Sequence, residues 1–153
     1  MKITIAIDSF KGSLTSVEAG IAAKCGVLSV YKDATVDVCP LADGGEGTST
    51  ALTEGLNGQM QYVDVTGPLG NTVKGFYGII HDTKTAIIEM AAAAGITLVE
   101  ENLRNPLNTT TYGVGELILD AAKKGCRNFI IGIGGSATND GGIGMLTALG
   151  FAF

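Results

Sequence analysis

Charge is scarce in this chain. Only 16% of its 153 residues are Asp, Glu, Lys or Arg, and no lysine or arginine run offsets a net charge of −5. Such a surface excludes non-specific nucleic-acid binding, which needs a basic face. Long apolar runs are missing too. Nothing approaches the roughly 20 apolar residues of a membrane span, and the apolar stretch at residues 3–7 is too short for a signal peptide. Histidine occurs once, at His81 in the polar turn His81-Asp82-Thr83-Lys84, with no acid and hydroxyl partner in view, so a Ser-His-Asp hydrolase is not supported. Cys25, Cys39 and Cys126 are odd in number and dispersed among apolar residues. They read as small buried hydrophobes in a reducing compartment, neither a disulfide frame nor a metal site. These absences predict a soluble, cytoplasmic protein with no nucleic-acid or membrane partner.

What is present is apolar and rich in glycine. Hydrophobic residues make up 46% of the chain, which excludes disorder, and its length is that of one ordinary domain with a real core. The 23 glycines are about twice the usual share of roughly 7%, and many sit in loops between periodic segments. Residues 3–7 form a β-branched run suited to a strand buried on both faces. Ser13 or Thr15 can cap a helix reaching about residue 31, with Glu18 in its first turn and Val17, Ile21, Cys25 and Leu28 on one face. A strand at 35–39 stops at Pro40, and a short helix spans about 47–56 before Gly58. This order of strand, helix, strand, helix implies a parallel sheet with right-handed crossovers.

The middle of the chain reads differently. Residues 59–65 and 72–80 both alternate, and Gly67-Pro68-Leu69-Gly70 turns the chain between them, as in an antiparallel hairpin. A third strand covers 85–90, and Ala91–Ala94 ends at Gly95. Beyond the breaker Pro106, Thr109-Thr110-Thr111 can cap a helix over 115–124, and residues 129–133 return to a buried parallel strand. The expected fold class is therefore α/β. A parallel, flavodoxin- or Rossmann-like lobe covers 1–57 and 112–153, and an antiparallel excursion at 58–111 belongs to a second mixed lobe. Phe151-Ala152-Phe153 looks like the start of another strand, so the chain reads as a piece of a longer one.

Two loops are nearly the same. Ala42-Asp43-Gly44-Gly45-Glu46-Gly47-Thr48 and Asn139-Asp140-Gly141-Gly142-Ile143-Gly144 each follow an apolar run and lead into a helix. Paired glycines let backbone N–H groups approach an anion, and an adjacent carboxylate can hold a cation, a combination suited to magnesium-bound phosphate. A third loop, Asp8-Ser9-Phe10-Lys11-Gly12-Ser13, leaves the first strand with an acid, a hydroxyl and a base. Asp8, Asp43 and Asp140 all fall at carboxyl ends of strands, where ligands gather in open α/β sheets. Phosphoryl transfer is the chemistry these loops suggest.

Six blocks together resemble one family. They are Asp8-Ser9-Phe10-Lys11-Gly12-Ser13, the first Asp-Gly-Gly loop, Val65-Thr66-Gly67-Pro68-Leu69-Gly70, Ile88-Glu89-Met90-Ala91, Thr109-Thr110-Thr111-Tyr112-Gly113, and the segment 132–142 ending in Asn139-Asp140-Gly141-Gly142. In this order they look like the bacterial glycerate kinase family of the first type. Ile7 departs from the family's usual proline, a small change in a strand. The larger departure is length, since family members exceed three hundred residues and this chain resembles only their N-terminal portion.

The resemblance implies ATP-dependent, Mg²⁺-assisted phosphorylation of D-glycerate to 2-phosphoglycerate in a site between two lobes. Such chemistry needs positioning and charge neutralisation more than covalent help. Lys11 is the candidate for the transferred phosphate or the substrate carboxylate, as a point charge on a flexible stem. Asp43 or Asp140 would hold Mg²⁺ or serve as base, and the residues leave the two roles open. Asp8, Ser9, Gly44, Gly45, Glu46, Gly134, Gly135, Ser136 and Asn139 offer further contacts to substrate or phosphate. Glu89, at the end of an apolar strand, is a secondary contact or a support for one. The absence of both G-x-x-x-x-G-K-[ST] and G-x-G-x-x-G spacing excludes P-loop and dinucleotide sites. The alternative is a non-catalytic binding module that keeps the loops, and the 153-residue chain alone is expected to be inactive and self-associating.

Overall fold

The computed structural model describes residues 1–10 and 13–153. Lys11 and Gly12 lie outside the described residues. The elements run β1 (Lys2–Ile7), α1 (Ser16–Val30), β2 (Thr35–Pro40), α2 (Thr48–Gly55), β3 (Gln59–Thr66), β4 (Thr72–Ile80) and β5 (Thr85–Glu89). There follow α3 (Ala91–Ala94), two single 3₁₀ turns, α4 (Tyr112–Lys123), β6 (Asn128–Gly132) and α5 (Ile143–Ala148). The fold is mixed α/β, with parallel strands, crossover helices and an antiparallel meander.

Two sheets form among the described residues. β1 and β2 pair in parallel, with Ile3 opposite Val36 and Ile5 opposite Val38. The second sheet has the order β3-β4-β5-β6, antiparallel except for the β5–β6 pair. The expected parallel strand near residue 130 is there, but it extends the sheet of β5 instead of the sheet of β1. Residues 112–153, grouped by sequence with 1–57, thus pair with the middle segment.

α1 begins at Thr15, one of the two caps the sequence offers. Thr15 accepts from the Glu18 N–H, and the Glu18 carboxylate accepts from the Thr15 N–H, a reciprocal cap. Its buried face differs from the one expected. Ser16, Ala19 and Gly20 are buried, whereas Ile21 is 52% exposed and Cys25 is exposed. A Cβ on Gly20 would lie 2.4 Å from Val38 Cγ1, so α1 meets β2 through its smallest residues. Close approach, not bulk, selects the face.

Exposure corrects three other expectations. β1 alternates between exposed and half-buried residues instead of being buried on both faces, and β6 leaves Ile130 and Ile131 partly open. Cys39 is exposed, and only Cys126 among the cysteines is buried. Residues 151–153 form no strand, and Phe151 and Phe153 are exposed. The core lies instead in the second sheet, where Val65, Tyr77, Ile79, Ala86 and Ile88 pack with α3 and with Val114, Leu117 and Ala121 of α4. Within it the Tyr77 hydroxyl donates to Asp120 Oδ2 at 2.6 Å, and Lys124 pairs with the same oxygen at 2.9 Å. Burial, then the hydrogen bond to Asp120 and the charge of that carboxylate, push the Tyr77 hydroxyl well above its ordinary pKa. Among the described residues no helix is long and apolar enough to cross a membrane.

Candidate active site

The loop after β2 and the loop after β6 touch backbone to backbone. Gly134 N–H donates to the Gly44 carbonyl at 2.9 Å; alongside, Met90 N–H, just past β5, donates to the carbonyl of Gly132 at the end of β6 at 2.9 Å. A Cβ at Gly132 would lie 2.7 Å from Gly44 O, and one at Gly134 would lie 2.7 Å from Gly45 Cα. Backbone cannot yield as a flexible side chain can, so these glycines let the two loops meet. Gly44 is therefore engaged in joining the loops.

A cleft of ≈370 Å³ opens beside this junction, lined by Ser9, Asp43, Gly45, Glu46, Glu89, Gly134 and Gly135 together with Lys74, Phe76, Ala92, Ile96 and Thr97. Three strand-end loops contribute, those after β1, β2 and β6. A second cleft of ≈460 Å³ runs along the start of α1 and the exposed side of α2, and shares Ser9 and Glu46 with the first. Seven of the sequence candidates thus share one wall system. Asp8, Ser136, Asn139 and Asp140 line neither cleft among the described residues. Asp8 instead accepts from the Ser9 N–H at 2.7 Å, which fixes the turn leaving β1.

Asp43 and Asp140, alike in sequence, have different surroundings. Asp43 is exposed at the cleft, with Oδ1 accepting from the Gly45 N–H at 3.0 Å. Asp140 is half-buried and faces its own fold. Its Oδ2 accepts from the Thr111 N–H and hydroxyl, each at 2.8 Å, and from the Gly144 N–H at 3.2 Å, while Oδ1 accepts from the Gly142 N–H at 2.9 Å. Burial works to raise the Asp140 pKa, but the Thr111, Gly142 and Gly144 hydrogen bonds prevail and hold it below the usual carboxylate range. The Thr111 hydroxyl also accepts from Met145 N–H at 2.9 Å, so this pair ties α4 to α5. The sequence expected Asp140 to be a metal holder or a base; here its carboxylate accepts from three backbone N–H groups and the Thr111 hydroxyl.

Ser136 is similarly committed. Its hydroxyl donates to the Thr138 carbonyl at 3.0 Å and accepts from the Thr138 N–H at 3.2 Å, closing a local turn. Asn139 is exposed, and its N–H reaches the Pro106 carbonyl at 3.4 Å. Glu89 is 2% exposed at the end of β5 and accepts from both the N–H and the hydroxyl of Ser49. A carboxylate there complements the positive end of α2 and satisfies one of its unpaired N–H groups. Its negative charge makes it a support for the loop and a poor direct phosphate contact.

Sequence reasoning missed Lys74, Phe76 and Thr97. Lys74 and Phe76 share one face of β4, as the period of two requires. Alternation marks two faces, but only the docking of α2 decides which faces the cleft.

Residues 3–153 match the glycerate kinase family. The chain is 55% identical to the glycerate kinase of Haemophilus influenzae over 98% of its own length and 40% of that protein's. It is 53% identical to the glycerate 2-kinase of Escherichia coli K12, covering 98% of this chain and 39% of that one. A crystal structure of a Salmonella typhimurium LT2 protein that carries the provisional name glycerate kinase 2 superimposes with a TM-score of 0.87 at 52% identity. The match covers 98% of this chain and 41% of that one. The chain spans about two fifths of the length of these curated relatives.

Proposed function

Because the chain belongs to the glycerate kinase family, we propose that it forms the N-terminal part of a cytoplasmic enzyme that transfers the terminal phosphoryl group of ATP to the 2-hydroxyl of glycerate. The observation that carries this reading is the meeting of three strand-end loops in one cleft, through Ser9, through Asp43, Gly45 and Glu46, and through Gly134 and Gly135. Ligands in α/β sheets bind at such carboxyl-end crevices. The adjoining cleft, which shares Ser9 and Glu46, suits a reaction that must bring two small molecules together.

Magnesium takes one or two carboxylates and fills its remaining positions with water and phosphate oxygens. No group of three or more His, Cys, Asp or Glu gathers among the described residues, so an all-protein cage is not available there. Asp43 and Glu46, both exposed at the cleft, meet the lighter demand. Asp140 is the more committed of the two loop aspartates, because its carboxylate already accepts four protein hydrogen bonds, three of them on Oδ2. When bound, magnesium-ATP would supply the phosphoryl group and screen the charge on its oxygens.

The chain's own residues do the rest. Asp43 either holds the metal or takes the proton leaving the substrate hydroxyl. Glu89 fixes the start of α2, and with it the loop that carries Asp43. Gly134 and Gly135 let the backbone close on the ligand. Lys11, outside the described residues, would add a positive charge near the end of β1. Activity of the 153-residue chain alone is expected to be negligible, as the family places its site between two lobes.

The test is an ADP-release assay on the complete protein with ATP, Mg²⁺ and glycerate. Glycerate-dependent turnover supports the reading. Folded protein that binds nucleotide but turns over neither glycerate nor other sugar acids would instead be a binding module.

A further inference from the structure

The described residues lining the cleft are electrostatically lopsided. Three carboxylates, Asp43, Glu46 and Glu89, face one cation, Lys74. An anionic substrate entering such a wall is repelled unless a positive group receives it. Lys74 is well placed to do so. It stands on β4 beside Phe76 at the cleft, directly opposite Asp64 on β3, and its Nζ pairs with Asp64 Oδ1 at 3.1 Å. The pair is open to water, with side-chain exposures of 64% for Lys74 and 67% for Asp64. An exposed pair of this kind contributes little to folding. A second anion can therefore share the ammonium at small cost, since its three N–H donors are not exhausted by one oxygen.

We propose that Lys74 binds the carboxylate of the hydroxy-acid substrate, with Asp64 as the residue that positions it. This inference rests on the glycerate reading above and names the group that selects an acid over a neutral polyol. Lys74 projects from the antiparallel sheet, whereas Ser9, Asp43 and Gly45 lie at the ends of the parallel pair. A small molecule held at its carboxylate by Lys74 would extend its hydroxyls toward the Asp43 loop, where the phosphoryl group is expected. A lone ammonium suits a single carboxylate, and a nucleotide's phosphates call for the metal and the glycine-rich loops on the other side.

The experiment compares the complete wild-type protein with its Lys74→Met, Lys74→Arg and Asp64→Asn variants, each checked for native far-ultraviolet circular dichroism. Substrates are glycerate, its uncharged amide glyceramide, and ATP. Lys74→Met should raise KM for glycerate at least about tenfold, the lower end of the loss of a hydrogen bond to a charged group, while KM for ATP stays in place. The preference for glycerate over glyceramide should collapse in the same variant. Lys74→Arg should keep most of that preference. Asp64→Asn should weaken it with little change in kcat, which a purely structural role would not do. A rise in KM for ATP without one for glycerate assigns Lys74 to the nucleotide and overturns the proposal. Unaltered constants in Lys74→Met overturn it as well. A wild-type protein without glycerate-dependent turnover would instead sink the functional reading, and the role of Lys74 with it.

Discussion

Glu89 ties the end of β5 to the start of α2 through Ser49. The carboxylate at the end of β5 accepts from both the backbone N–H and the hydroxyl of Ser49 in the first turn of α2. Both residues are buried, Ser49 completely. α2 follows the loop that carries Asp43, so this contact sets how that loop stands over the cleft.

Glu89→Ala in the complete protein should therefore destabilise as well as inactivate. It leaves two buried donors without a partner, a loss of about 1–3 kcal/mol for each group so stranded. Thermal unfolding should show a lower Tm, and Glu89→Gln, which still accepts through its carbonyl, should recover part of it. An unchanged Tm in Glu89→Ala would mean that water replaces the carboxylate without cost.

Asp43 and Asp140 should separate in opposite ways. Asp43→Asn should lower kcat by at least about 10²-fold, the lower end for a catalytic base, with little change in Tm because its carboxylate is exposed. Asp140→Asn should cost about 1–3 kcal/mol through its lost charge-assisted bonds to Thr111, Gly142 and Gly144. Kinetics and unfolding measured on the same preparations decide the matter. Equal stability losses in the two variants would show that both loops do the same work.

The pH dependence of Asp140 follows from its lowered pKa. Its folded-state value lies below the unfolded one, so the stability it adds is complete above the ordinary Asp value of about 3.9. That contribution is lost as pH falls through the folded value. The stability gap between wild type and Asp140→Asn should thus be constant near neutrality and narrow in acid below about pH 4. Urea unfolding at a series of pH values reads it directly.

Gly134→Ala tests the contact between the loops. Its Cβ would press on Gly45 Cα at 2.7 Å and on Gly44 O at 3.0 Å, and overpacking of this kind costs roughly 1–3 kcal/mol. Turnover should fall as the loops separate, whereas Gly125→Ala, distant and with nothing near its Cβ, should leave turnover intact despite its φ of 96°.

The 153-residue chain by itself should associate. Ile130, Ile131 and Ile133 are 46%, 36% and 77% exposed on and just beyond the edge strand β6, and Phe151 and Phe153 are 59% and 78% exposed. Apolar edge strands of this kind recruit other chains. Sedimentation velocity should show oligomers that grow with concentration, and a strictly monomeric species at high concentration would contradict this.

Local rules settled much of this protein in its sequence. Alternation at 59–65 and 72–80, a cap at Ser13 or Thr15 and the breakers at Gly58 and Gly95 mark where β3, β4, α1, α2 and α3 begin or end, because each depends on neighbours within a few residues. The same locality made the Asp43 and Asp140 loops look equivalent. Only tertiary structure separates them, since Thr111 reaches Asp140 from a helix 29 positions earlier in the chain. It also chose Gly20 over Ile21 as the buried side of α1, by how closely β2 approaches. And it brought Lys74 to a cleft whose other walls lie far away in sequence, because strand alternation defines two faces and only the docking of α2 against β4 decides which one a ligand meets.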